Sequence, residues 1–217
     1  MPTPSILQGA RIYIESARGA VQALSAITKA APPVITYAGA DPSNNDYMII
    51  TDMTGMTQLN DAVVKVANVN GAGNTFEAKD QDSTNFGTFV SGNMYPVTFG
   101  SELTVAMGAA FTGGEPQYAN YMLLWDDMEH RKFTHASAAG IDLPVMWDPS
   151  DTNFQYLYNL ARTDSTLAVK IVLKSGVEIL SFGNFGGSGQ PTSNDARSIM
   201  QASFSINPTT KPWYVLP

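Results

Sequence analysis

The sequence predicts a mainly β fold with one α-helix and a small inserted β domain. Short runs of alternating or β-branched residues recur along the chain, separated by turns rich in glycine, proline and asparagine. Only one stretch has convincing helical periodicity. A compact run of strands and turns at residues 32–97 interrupts the rest. The 217 residues leave room for a β body, residues 1–31 and 98–217, that carries this inserted module.

The body opens with a predicted strand at residues 9–15, where small or apolar residues alternate with polar ones. Residues 21–29 are ambiguous, because their composition is helical while their ends are β-branched. Pro32 and Pro33 stop any helix there, since proline fixes φ and lacks the N–H.

The sequence of the inserted module predicts short strands joined by tight turns. A glycine turn at residues 68–74 connects the last two strands. A module of this size is marginally stable alone, so we expect it to lean on the larger body. The predicted strands are residues 34–38, 47–51, 63–69 and 75–78.

The sequence of the second part of the body, residues 98–217, predicts further strands and the helix. Asp148 is the expected N-cap, Pro149 the first helical residue and Asp151 an acid of the first turn. The apolar stripe that should lie on the sheet is Phe154, Leu157, Tyr158 and Ala161. The predicted strands are residues 97–110, 118–125, 132–145, 167–174, 177–182 and 196–206.

The composition favours self-assembly. Charged residues make up 14% of the chain, against about 25% in typical soluble proteins. A surface this poor in charge suggests that copies of the chain cover one another, although a neutral secreted β domain also fits. The net charge is −7, of which residues 32–97 contribute −5. Neither part has the basic excess that a nucleic-acid-binding protein needs.

Several classes of chemistry are disfavoured. The absence of cysteine excludes disulfides, thiolate catalysis and cysteine-type zinc sites. We find neither an apolar run of membrane-spanning length nor a signal-peptide pattern, so we expect a chain made and kept in a cytoplasm or built into a particle there. A Gly-x-Ser-x-Gly motif is also missing, and two histidines leave few options for a catalytic triad.

Three clusters could have a binding role, and for each of them a purely structural role is favoured. Residues 125–130 (WDDMEH) could hold a divalent cation, but a solvated turn balanced by Arg131 and Lys132 fits better. The glycines of residues 183–189 could form a phosphate loop, but neither a helix nor Gly-Lys-Ser/Thr follows, so we expect a mobile loop at a subunit seam or channel. Tyr156 and Tyr158 near Arg162 could stack on bases, but core packing is favoured because Tyr158 belongs to the helix stripe. We therefore expect no enzyme activity, catalytic residue, metal or cofactor.

Two parts of the chain carry a family resemblance. GMTQLN at residues 55–60 and NTFEAKDQDSTNFGTFVSG at residues 74–92 resemble a small β insertion common in phage virion proteins. The frame around them resembles the major tail tube proteins of long-tailed, siphovirus-type phages. That frame consists of ITKAAPPVITYAG, VTFG, DPSDTNFQYLYNLA, VKIVLKSGVEILSFGNF and the closing strand.

This resemblance implies a tail-tube-type β-sandwich or barrel in the virion, assembled in the host cytoplasm. Six copies would form a ring, and stacked rings would form the conduit for genome ejection. The implied partners are the chain itself, a tape measure protein in the lumen, and tail terminator and distal tail proteins at the ends. Genomic DNA would pass without specific binding, so we expect a neutral to acidic inner wall. The inserted module is expected on the outer surface.

The candidate contacts between subunits are expected to join successive rings, and they lie in the loop at residues 111–120 and at both termini. These segments are long and bear prolines, and we expect them to be poorly placed to pair within a sheet. The C-terminal segment, residues 207–217, is expected to expose large aromatic side chains. The candidate residues are Thr112, Pro116, Tyr118, Trp213 and Tyr214.

Two other functions remain open. A carbohydrate-binding or adhesin-type β module would need an exposed aromatic platform, for which Trp213 and Tyr214 are the candidates. A hydrolase acting through Asp126 or His130 is disfavoured by the missing nucleophile and metal patterns.

Overall fold

A computed structural model describes residues 8–163, 165–192 and 199–217. Over these residues the chain forms fifteen strands and one α-helix, which confirms the mainly β prediction. The elements are β1 (Arg11–Arg18), β2 (Gln22–Ile27), β3 (Val34–Ala38), β4 (Tyr47–Thr54), β5 (Ala62–Asn70), β6 (Thr75–Ala78), β7 (Ser91–Glu102), β8 (Ala110–Thr112), β9 (Pro116–Tyr121), β10 (His130–Ala136), β11 (Gly140–Met146), α1 (Thr152–Ala161), β12 (Thr166–Val172), β13 (Glu178–Gly187), β14 (Gln201–Pro208) and β15 (Trp213–Val215).

The first half of the chain forms a closed barrel. The strand order is β2, β3, β6, β5, β4 and β7, and β7 pairs back with β2. Closure leaves no free edge on this barrel. Strand β2 resolves the ambiguous residues 21–29, and it lies before the module predicted at residues 32–97. The barrel core includes Ile35, Met48, Ile50, Leu59, Val64, Phe76 and Met94.

The same sheet continues beyond the barrel, and this continuation is called the second body. The C-terminal half of β7 pairs with β1, and the order then runs β12, β13, β14, β11 and β8. The predicted strand at residues 97–110 is wrong in its second half, because β7 ends at Glu102. After β7 the chain leaves the strand but stays hydrogen-bonded to β1 and β11. The Leu103 N–H donates to Ile12 O, and the Met146 N–H donates to Val105 O.

Helix α1 covers one side of this second core. Its N-cap is Asp151, whose carboxylate accepts the N–H groups of Asn153 and Phe154 at 2.8 and 3.0 Å. The prediction of Asp148 as the cap is therefore wrong, because that carboxylate holds the preceding turn through Ser150. Phe154 and Leu157 are buried as predicted, whereas Tyr158 remains 40% exposed.

Strand β13 is longer than its apolar run suggests. It extends to Gly187, so the predicted loop at residues 183–189 is wrong for most of its length. The backbone of Asn207 explains the glycine at position 183, because a Cβ there would lie 2.2 Å from its carbonyl oxygen. The neighbouring Phe185 stacks on Phe204 with 5.6 Å between ring centres.

A third apolar cluster joins the two bodies. Ile49, Val63 and Val97 on the outside of the barrel pack against Leu180 and Phe182 of the second body. Because β12 and β13 also line the second core with their other face, they are buried on both sides. The joint makes the two bodies one continuous packed unit.

A group of charged side chains lies at the same joint. The Lys170 ammonium lies 4.6 to 4.9 Å from the ring centres of Tyr13, Tyr47 and Phe99. Burial lowers the pKa of Lys170. Glu178 accepts hydrogen bonds from the Tyr47 hydroxyl at 2.9 Å and from the Lys65 ammonium at 2.8 Å.

In the described part of the chain, no helix is long and apolar enough to cross a membrane.

Candidate assembly surface

Residues 113–139 form an arm that leaves the second body between β8 and β11. Its strands β9 and β10 pair antiparallel with each other, and each of their residues is exposed. The predicted strand at residues 132–145 is therefore two strands, one in the arm and one in the sheet. Antiparallel strands commonly bury one face against a core, so the full exposure of both strands of the arm needs a separate explanation.

The root of the arm is narrow. Thr112 pairs with Gly140, and the Gly114 N–H then donates to Ser137 O at 3.2 Å. Gly113 and Gly114 have φ of 72° and 77°, a left-handed conformation that side chains disfavour. These glycines turn the chain out of the sheet and into the arm.

The tip of the arm, residues 122–129, exposes large apolar side chains. Leu124 is fully exposed, Trp125 is 80% exposed, and Met122 and Met128 are 65% and 73% exposed. Soluble monomers rarely expose contiguous apolar patches larger than a few hundred Å². An apolar tip on an arm that folds away from its own core is therefore a candidate contact surface.

The acidic part of the tip forms a local turn. The Asp126 N–H donates to Leu123 O at 3.0 Å, and the Asp126 carboxylate lies 3.1 Å from His130 Nε2. The Tyr121 ring stacks on His130 at 5.5 Å. Among residues 8–163, 165–192 and 199–217, no group of three or more side chains is placed to hold a metal ion.

An apolar groove, the α1 groove, lies beside the helix on the second body. Its volume is about 450 Å³. Tyr158 stacks on Phe154 at one wall, with the Arg162 guanidinium 5.7 Å from the Tyr158 ring. This exposure of Tyr158 corrects its predicted place in the core. The lining residues are Trp147, Pro149, Phe154, Gln155, Tyr158 and Ser188 to Pro191.

A second groove, the root groove, lies where the arm leaves the body. Its volume is about 330 Å³, and it lies between the end of β8, the start of β11 and the C-terminal segment. Among its lining residues are Phe111, Thr112, Lys211, Pro212 and Tyr214.

The candidate contact residues fall into three groups. Thr112 and Tyr214 line the root groove, while Pro116 and Tyr118 are exposed on the arm. Trp213 pairs with Leu180 and packs into the joint, so its predicted exposure is wrong. Residues 111 and 112 pair in the sheet, contrary to the expectation for that loop. Whether these residues touch another copy stays a prediction, and residues 1–7 of the N-terminus lie outside the described residues.

The tip itself is missing from the predicted contacts. The sequence predicts a strand at residues 118–125 and a solvated turn at residues 125–130, and the tip falls across the two. The sequence did contain a sign of the tip. Four apolar residues, Met122 to Trp125, follow one another next to a turn, and such a run cannot bury all its side chains on one face of a strand.

Comparison with known proteins agrees with an assembly role. A model of the family described as "Phage tail tube protein, TTP" matches residues 54–211, most of the chain. A search of curated proteins found no match.

Proposed function

The chain belongs to the phage tail tube protein family, and we propose that its copies close into hexameric rings that stack into a tube for genome ejection. The family that the sequence resembles is thereby confirmed, and with it a structural role in the virion tail. One observation carries the proposal beyond the family: the chain extends an arm whose apolar tip its own body leaves uncovered.

Burial of the tip against another molecule would be favourable. Burying apolar surface stabilises by about 25 cal/mol per Å². A side chain such as Trp125 therefore contributes to an interface and costs solubility in the free chain. Contacts between copies are the simplest way for a tail tube protein to use this surface.

Strand edges give a second reason for contacts between copies. Strand β8 is the last strand in the sheet order, after β11. The arm also presents the outer edges of β9 and β10. Edge strands offer unpaired N–H and C=O groups, and ring closure by neighbouring copies would satisfy them.

The same proposal includes the other tail components. A tape measure protein would fill the lumen during assembly in the host cytoplasm, and terminator and distal tail proteins would bind the two ends of the tube. A wall rich in Lys and Arg would bind the phosphates of the passing DNA, so we expect a neutral to acidic inner wall. The module at residues 32–97 would face outward, where it leaves the lumen free.

Electron microscopy of the purified chain over a range of concentrations tests the proposal. We expect rings or tubes with six copies per ring, each with a central channel. A monodisperse monomer at every concentration contradicts it, whereas a tube with a continuous basic stripe along its lumen contradicts only the expected charge of the inner wall.

A further inference from the structure

We propose that the arm tip of one copy binds the α1 groove of the next copy along the tube. This inference rests on the proposed function and names the partner surface of the arm. It concerns contacts between successive rings, whereas ring closure involves other surfaces.

The root of the arm and the α1 groove lie at opposite ends of one strand. The arm leaves the sheet at the Gly140 end of β11, and Trp147, which lines the α1 groove, follows the Met146 end. These ends are roughly 20 Å apart at about 3.3 Å per residue. A contact between two different surfaces of the same chain is head to tail, and its repetition builds an open filament when the rotation does not close it into a ring.

The two surfaces match in character and size. Trp125 and Leu124 are among the most exposed apolar side chains in the described chain, and Trp147, Phe154 and Tyr158 give the groove aromatic walls. The tip exposes five large apolar side chains in a row of eight residues, enough to form the apolar centre of an interface. The groove volume of about 450 Å³ lies within the range of about 300–1,000 Å³ typical of binding pockets.

A second copy fits the tip better than a membrane does. Asp126, Asp127 and Glu129 follow the apolar residues directly, and their negative charge opposes binding to an anionic lipid surface. The root groove is also a weaker candidate, because it lies at the same end of the body as the arm. Docking there would join copies arm end to arm end, which closes a pair and does not extend a stack.

Photo-crosslinking of the full chain tests the contact directly. The variant Trp125→benzoylphenylalanine is assembled, irradiated and digested, and the joined peptides are identified by mass spectrometry. We expect crosslinks to residues 147–158 or 188–191 of another copy. Crosslinks in tubes to residues 208–214 overturn the inference and leave the proposed function intact, whereas a wild-type chain that never assembles contradicts the proposed function itself.

A pair of groove variants gives a second test without altering the tip. Gln155→Trp fills the groove from an exposed helix position, and Asn159→Trp adds the same bulk one turn further along, outside the lining. We expect Gln155→Trp to raise the concentration needed for tube formation about tenfold or more, which corresponds to about 1.4 kcal/mol. Asn159→Trp should leave it within about twofold, a change below about 0.5 kcal/mol.

The monomer melting temperature of both variants should stay at the wild-type value, which separates docking from folding. Equal assembly by the two variants overturns the inference. Flotation of the wild-type chain with phosphatidylcholine–phosphatidylserine vesicles, if abolished by Trp125→Ser, overturns it in favour of a membrane.

Discussion

Tyr47 links the two bodies through a single carboxylate. Its hydroxyl donates to Glu178, which also accepts from Lys65. Burial and this hydrogen bond raise the pKa of Tyr47 well above its ordinary value of 10.0. A raised pKa means that the folded state holds the proton more tightly, so this stabilisation is complete below pH 10 and is lost as the pH rises through the folded-state pKa.

We therefore expect the chain to lose stability in alkali partly through Tyr47. The variant Tyr47→Phe should remove a late step from the tyrosine absorbance titration and make the free energy of unfolding less dependent on pH above 10. Tyr37 should still titrate late, because burial and its bond to Asp41 raise its pKa to about 12. An unchanged titration curve in Tyr47→Phe contradicts this assignment.

The helix cap gives a second prediction at the residue scale. Asp151→Ala should lower the free energy of unfolding by about 1 kcal/mol, because two N–H groups lose their acceptor. Asp148→Ala is the matched control, and it should have a smaller effect because its bonds hold a turn outside the helix. Urea unfolding measures both variants, and the reverse order would return the cap to Asp148.

The strand β13 shows how an element depends on a distant backbone. Its glycines suggested a loop, yet residues 178–184 pair with β12 and residues 183–187 pair with β14. Local composition could not reveal this, because Gly183 is required by the close approach of Asn207 and not by a turn.

Two alanine variants in β13 test this explanation. Gly183→Ala should destabilise the chain by about 1–3 kcal/mol, because its Cβ must displace the backbone of β14. Gly186→Ala is the control, since nothing lies within 4 Å of a Cβ at that position. Thermal unfolding of the two variants decides the matter, and similar melting temperatures would refute a steric role for Gly183.

The arm is the element that the sequence predicted least well. Strong strand propensity in residues such as Tyr118 and Phe133 gives the hairpin, and their rings meet at 6.2 Å. Propensity does not tell whether a hairpin joins the main sheet or projects from it. That choice follows from the left-handed glycines at the root and from the pairing of β8 with β11.

At the scale of the whole molecule, the C-terminal segment closes the joint between the bodies. Strand β15 pairs with β13, while Lys79 and Asp80 of the barrel bind the backbone of Leu216. Trp213 contacts both the barrel core and the joint, and its ring lies 6.3 Å from Phe86. Tyr214, the next residue, is 58% exposed beside the root groove.

These neighbours should behave differently on substitution. Trp213→Ala should lower the free energy of unfolding by about 2–3 kcal/mol, somewhat less than a fully buried tryptophan would. Tyr214→Ala should leave it within about 0.5 kcal/mol, because surface substitutions have small effects. Calorimetry of the monomer measures the difference. Equal destabilisation by both variants would show that the two aromatic rings share one role.

The sequence by itself determined the local elements: the strands at residues 34–38 and 75–78, the neighbouring strands at residues 167–174 and 177–182, and the buried helix positions Phe154 and Leu157. It also carried the family resemblance. The tertiary structure alone decided that β2 closes a barrel, that Trp213 is half-buried at the joint and that Trp125 is left outside. The reason is physical: periodicity reports which side chains share a face, whereas burial of that face depends on strands that are distant in the chain.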